Sequence, residues 1–147
     1  MILTDKKIES AHPVDVLFKA SKLSKRQMNV LSKLKGYGAQ ATVRKRDVSM
    51  LDLAALTAET GDEFAMFTRG GERLIVRGNS INISLSEAEI RKLVNDGYRF
   101  SGHTHPGYRK VSLIVSDGDR EALGLFRQNR SVVYNAAGRY KIFESEG

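Results

Sequence analysis

The chain has 147 residues, 41% of them hydrophobic, which suits one domain with a buried core and excludes a disordered tail. It contains no cysteine, so neither a disulfide framework nor a thiolate metal site is available and any metal must be held by nitrogen and oxygen. The net charge of +7 is unevenly placed: residues 1–50 carry 11 Lys/Arg against 4 Asp/Glu, and residues 51–147 carry 13 of each.

A basic segment of this kind is most often a solvated face, and otherwise touches nucleic acid or an acidic partner. No stretch approaches the ~20 apolar residues of a membrane span. The start, Met1-Ile2-Leu3-Thr4-Asp5, lacks the regions of a signal peptide, so a cytoplasmic protein is expected. His12, beside Pro13, reads as a surface residue.

Ser24 with Gln27 forms a capping-box pattern, with Leu23 and Met28 placed as a hydrophobic staple. Met28, Leu31 and Leu34 continue one apolar face, which predicts a basic amphipathic helix over about 25–35, ended by Gly36-Tyr37-Gly38. Thr42-Val43-Arg44 suits a short strand. Ser49 with Asp52, and Val48 with Leu53, repeat the box and staple and open a helix to about Glu59. Two β-rich runs, Glu63 to Arg69 and Glu72 to Arg77, joined by Gly70-Gly71, predict a hairpin. Asn82-Ile83-Ser84-Leu85 suggests a third strand, and Ser86 with Glu89 a third capped helix ending at Gly97. Tyr98 to His103 alternates as a strand, a loop covers 105–115, and a helix follows from about Asp117 to Gln128. Ser131 to Tyr134 and Arg139 to Phe143 close the chain as a hairpin around Ala137-Gly138. This order predicts a mixed α/β (α+β) fold, a mixed central sheet flanked by helices.

His103-Thr104-His105 carries two of the three histidines of the chain. Residues two apart on a strand point to one face, so both imidazoles can turn toward one ion, and an aspartate from the next element, Asp119 of Ser116-Asp117-Gly118-Asp119, can complete the set. Three protein ligands leave the fourth position of a zinc ion open, the mark of a catalytic rather than a structural site. Ser116 and the acids after it are also an ordinary helix start, and the two readings are compatible.

Gly102-His103-Thr104-His105-Pro106 followed by Ser116-x-x-Asp119 resembles the signature of the JAMM (MPN+) metalloproteases over roughly residues 50–147. The chain departs from it in the ten residues, Pro106 to Val115, between the second histidine and the serine, a longer spacer than the family's usual one. Asp117 is the substitute ligand should the longer loop shift the register. The resemblance implies a JAMM/MPN-like core with cytidine-deaminase-like layering, Zn2+ held by His103, His105 and Asp119, Glu63 as general base, and Ser116 as hydrogen-bond donor to the oxyanion. Glu59, Asp62 and Glu72 remain alternatives for the base.

It further implies hydrolysis of an amide bond in a peptide or ubiquitin-like protein. Among relatives, a bacterial JAB-domain protein or the effector module of a polymorphic toxin, delivered into a target cell, is the nearest in kind. Two other readings stand beside it: a catalytically inactive MPN-like scaffold, and a nucleic-acid-associated protein using the basic face of residues 19–46. The chain divides into a basic helical segment, 1–48, and a metallopeptidase-like domain, 49–147. The segment is expected to dock a partner or brace the sheet rather than supply catalytic groups.

Overall fold

Each of the four α-helices among the described residues begins at a serine. Its side chain accepts the amide hydrogen three residues on, while that third residue's side chain accepts from the serine amide. The reciprocal pair satisfies two amides that a helix start otherwise leaves unpaired. The computed structural model of the chain describes residues 23–145, and His12 lies outside them. In chain order the elements are α1 (Lys25–Ser32), β1 (Gln40–Arg44), α2 (Met50–Thr60), β2 (Phe64–Arg69), β3 (Glu72–Arg77), α3 (Glu87–Asn95), β4 (Arg99–His105), α4 (Asp117–Leu125), β5 (Arg130–Asn135) and β6 (Tyr140–Glu144). Short 3-10 turns at Lys45–Asp47 and Lys110–Leu113 join them.

The strands form one mixed sheet in the order β1-β3-β2-β4-β5-β6, as the α/β reading expected. Only β4 and β5 run parallel, joined through α4, and the remaining neighbours are antiparallel. Because successive side chains of a strand face opposite sides, the sheet builds two cores. On one face Phe64, Met66 and Ile75 pack with Met50, Leu53 and Leu56 of α2 and with Val30 and Leu34. On the other, Ala65, Phe67, Phe100, Val133 and Phe143 pack with Ile90 of α3 and with Leu123 and Phe126.

Three local expectations are corrected. Asn82-Ile83-Ser84-Leu85 is not a strand: β3 has β1 on one side and β2 on the other, which leaves it no free edge. Residues 78–86 instead fold over themselves, with the Asn79 carboxamide oxygen accepting from the amides of Ile81 and Asn82 at 2.8 Å each. The first helix ends at Ser32, short of the expected 35, so Leu34 reaches the core from the following turn while Met28 stays 50% exposed. Val30 replaces it on the covered face. The helix after Ser116 stops at Leu125, and Gln128 turns its side chain to bind the Phe100 amide at 2.6 Å and its carbonyl at 3.0 Å.

The described part of the basic segment, residues 23–48, is built into the same layer. Strand β1 pairs with β3 along its length, and Arg26 and Gln27 of α1 bind the Asp52 carboxylate that caps α2. No helix among the described residues is long and apolar enough to cross a membrane.

Candidate metal centre

Strand β4 delivers His103 and His105 to one face and Thr104 to the other. Its register with β2 pairs Ala65 with His103, and Glu63, two residues before Ala65, lines the same cleft as His105. Asp119 arrives from the first turn of α4. Its Oδ2 accepts the Ser116 amide hydrogen at 2.9 Å and lies 3.2 Å from His103 Nε2 and 3.5 Å from His105 Nε2. The two imidazole nitrogens are 3.1 Å apart. Three donor atoms converging in this way form a group that could hold a metal ion. The three separations match the edge, about 3.3 Å, of a tetrahedron whose corners stand at the ~2.0–2.1 Å typical of nitrogen and oxygen ligands.

The two histidines are held differently. His105 is oriented by the Ser112 carbonyl, which takes the Nδ1 hydrogen at 2.8 Å, so Nε2 is the nitrogen turned to the group and the one that would give up its hydrogen to ligate. The carbonyl is in turn placed by a well-anchored loop: Leu113 and Val115 are buried in the core, the Ser112 hydroxyl donates to the Arg109 carbonyl at 2.5 Å, and Asn135 Nδ2 donates to that same carbonyl at 3.2 Å. The ten-residue spacer therefore closes on the site with Asp119 in place, while Asp117 is exposed and outside the group. His103 is packed edge-on against Phe143 and beside Phe100, with Nδ1 buried and no hydrogen-bond partner among the described residues. Ligation at Nε2 would leave an unsatisfied Nδ1–H, at a cost of about 1–3 kcal/mol.

Electrostatics follow the same contacts. Burial alone would raise the Asp119 pKa, yet hydrogen bonds from both histidines hold it far below the carboxylate range. Burial would lower that of His105, but Asp119 and the charge of Glu63 raise it, whereas at His103 burial wins and the ring stays neutral. Glu63 is 6% exposed, and burial pushes its pKa up to about 8, with the His105 charge opposing and the Asp119 charge reinforcing.

The other acids are elsewhere. Asp62 pairs with Arg77 at 2.8 Å, Glu72 with Arg69 at the hairpin end, and Glu59 is exposed on α2. Glu63, His105, Ser116 and Asp119 line one cleft of about 310 Å³. The Ser116 hydroxyl accepts the Asp119 amide hydrogen at 3.1 Å, which uses a lone pair and leaves its own hydrogen to donate.

Sequence reasoning gives two contributors no role. The Ser112 carbonyl is backbone, so no residue type marks it. Thr104, between the two histidines, has no ligand chemistry to single it out, yet it braces the site from behind. Its hydroxyl accepts the Phe64 amide hydrogen at 2.9 Å and meets Thr57 of α2 at 2.6 Å, fixing the residue beside Glu63. Strand alternation places Thr104 opposite the histidines, and a buried hydroxyl there needs partners. Compared with family models, curated proteins and solved structures, the chain matches none.

Proposed function

We propose that the chain is a zinc-dependent metallopeptidase or isopeptidase of the JAMM type, hydrolysing an amide bond in a peptide or ubiquitin-like protein. One observation carries this reading: a buried carboxylate, Glu63, shares a cleft with His105 and Asp119, which converge with His103 in one donor group. A structural zinc site usually closes with four protein ligands, whereas three ligands beside a raised-pKa acid suit hydrolysis.

Zinc bound by these residues supplies Lewis-acid activation, lowering the pKa of water toward about 7 and polarising a carbonyl. Glu63 then takes the proton of the attacking water and passes it to the leaving amine. Its burial keeps competing water away, and positive charge at the donor group favours its ionised form. The Ser116 hydroxyl donates to the oxygen on which charge develops. Asp119 is steadied by the Ser116 amide and His105 by the Ser112 carbonyl, so the donors are oriented before substrate arrives.

Elemental analysis of protein purified without chelator tests the reading together with hydrolysis of a quenched fluorogenic peptide library. One zinc per chain is expected, with hydrolysis that Glu63→Gln lowers by about 10²–10⁴. A chain that takes up no zinc on titration would overturn it.

A further inference from the structure

The cleft has two walls of aliphatic side chains that the proposed chemistry does not use. Ile81 and Ile83 stand on the 78–86 loop, and Val111 and Ile114 on the segment between His105 and Ser116. Exposure is 48% at Ile81, 50% at Val111 and 65% at Ile114, although apolar surface gains nothing from water. Ile83 packs partly on the core, and Leu113 and Val115 turn inward from the other segment, so the loops do not force Ile81, Val111 and Ile114 outward. The 78–86 loop is held in a form that presents Ile81: Asn79 accepts from two amides, its own amide donates to the Asn82 carbonyl at 2.9 Å, and Tyr37 donates to the Asn82 side chain at 3.1 Å.

Charge narrows the occupant further. Apart from Glu63, His105 and Asp119, the lining holds Ile81, Asn82, Ile83, Val111, Ser112, Ile114 and Ser116, with no lysine, arginine or further acid. Away from the metal group, no cationic side chain among the described residues stands there to pair with a terminal carboxylate or a phosphate, and nothing beyond the metal group would pair with a basic side chain. A volume of about 310 Å³ is at the small end of ligand sites, enough for a short stretch of chain and too small for a folded surface.

We infer that this cleft takes an internal, extended peptide segment by an uncharged aliphatic side chain next to the scissile amide, gripped between Ile81 and Ile83 on one side and Val111 and Ile114 on the other. The inference rests on the peptidase reading for what happens to the amide, but it can be measured without turnover. The chain is then selective for leucine-like residues beside the bond and does not trim free carboxyl termini.

The experiment uses full-length Glu63→Gln protein and fluorescein-labelled decapeptides that differ at one central residue, Leu, Asp, Lys or Gly, with anisotropy as readout. Leu peptide should bind at least about tenfold tighter than the Asp, Lys or Gly peptides, since a buried aliphatic group supplies that order of discrimination. Ile114→Asp, on an exposed position that folding does not need, should abolish the Leu preference and favour Lys. Equal binding of all four peptides, no binding of any, or a Leu preference unchanged by both Ile114→Asp and Ile81→Asp would overturn the inference. Zinc-loaded wild type tested with the same peptides separates the two readings. Selective Leu binding without hydrolysis supports the cleft and sinks the peptidase, while hydrolysis indifferent to the central residue does the reverse.

Discussion

Glu63 is where a single side chain decides most. Its pKa of about 8 in the metal-free fold means that it stays protonated while the unfolded chain, near 4.5, has lost its proton. Between about pH 4.5 and 8 the native state therefore binds the extra proton, so this residue's contribution to stability falls as pH rises and levels off above 8. Glu63→Gln should remove that slope and make the metal-free protein more stable than wild type at pH 8, by roughly 4 kcal/mol. Urea melts of both proteins at pH 5 and 8 check this, and parallel curves would show that the carboxyl is not desolvated as described. Asp119 has two duties, closing the Ser116 capping box and facing both histidines. Asp119→Asn can still accept the Ser116 amide hydrogen, so the helix should lose little, whereas zinc affinity measured by competition with a chelating dye should fall at least about tenfold. His103→Ala and His105→Ala should each abolish zinc uptake, because two remaining protein ligands seldom hold the ion.

Elements were legible where their signals are short-range. Three capping boxes, the Ser116 helix start, the Gly70-Gly71 hairpin and the left-handed Gly97 stand in the sequence as they stand in the structure, because each is settled within about five residues. Asn82 to Leu85 misled because alternation says that a segment could pair, not that an edge is free, and β1 had already taken the outer edge of β3. The strand order and the two loops that wall the cleft are decided by such distant competition. The histidines, Asp119 and Glu63 could be picked out as chemistry, while Ser112 and Ile114 could not, since only the folded loop gives them a place. Gly102, which precedes the histidines, shows how tightly β4 is seated: a Cβ there would lie 2.8 Å from Val132 Cγ1 and 2.9 Å from Met50 Sδ. Gly102→Ala should cost about 1–3 kcal/mol. Thermal melts with and without zinc measure it, and an unchanged midpoint would mean that β5 and α2 yield freely.

At the scale of the molecule, the described part of the basic segment, residues 23–48, braces the sheet, one of the two roles expected of the segment. Val30, Leu34 and Val43 are buried in the same cluster as Leu53 and Leu56, and β1 covers an edge of β3. Each such side chain contributes about 1.5–3 kcal/mol. Their sum rivals a typical domain's total of about 5–15 kcal/mol. Deleting residues 1–46 should therefore leave an unfolded chain by near-ultraviolet circular dichroism, and its zinc affinity should fall with the fold. A truncated chain that keeps native dichroism and one zinc would show that residues 49–147 stand alone.

The donors and the acid come from different depths of the chain. His103, His105 and Asp119 lie within one strand, loop and helix start, whereas Glu63 reaches them only because β2 is aligned on β4 across the sheet. Under the proposed function, ion capture would thus be a local property and hydrolysis a property of the whole sheet. Damage that slides β2 along β4 while sparing β4 and α4 would give a fully loaded yet inert protein, so metal stoichiometry is no proxy for competence, and preparations must be ranked by turnover per bound ion.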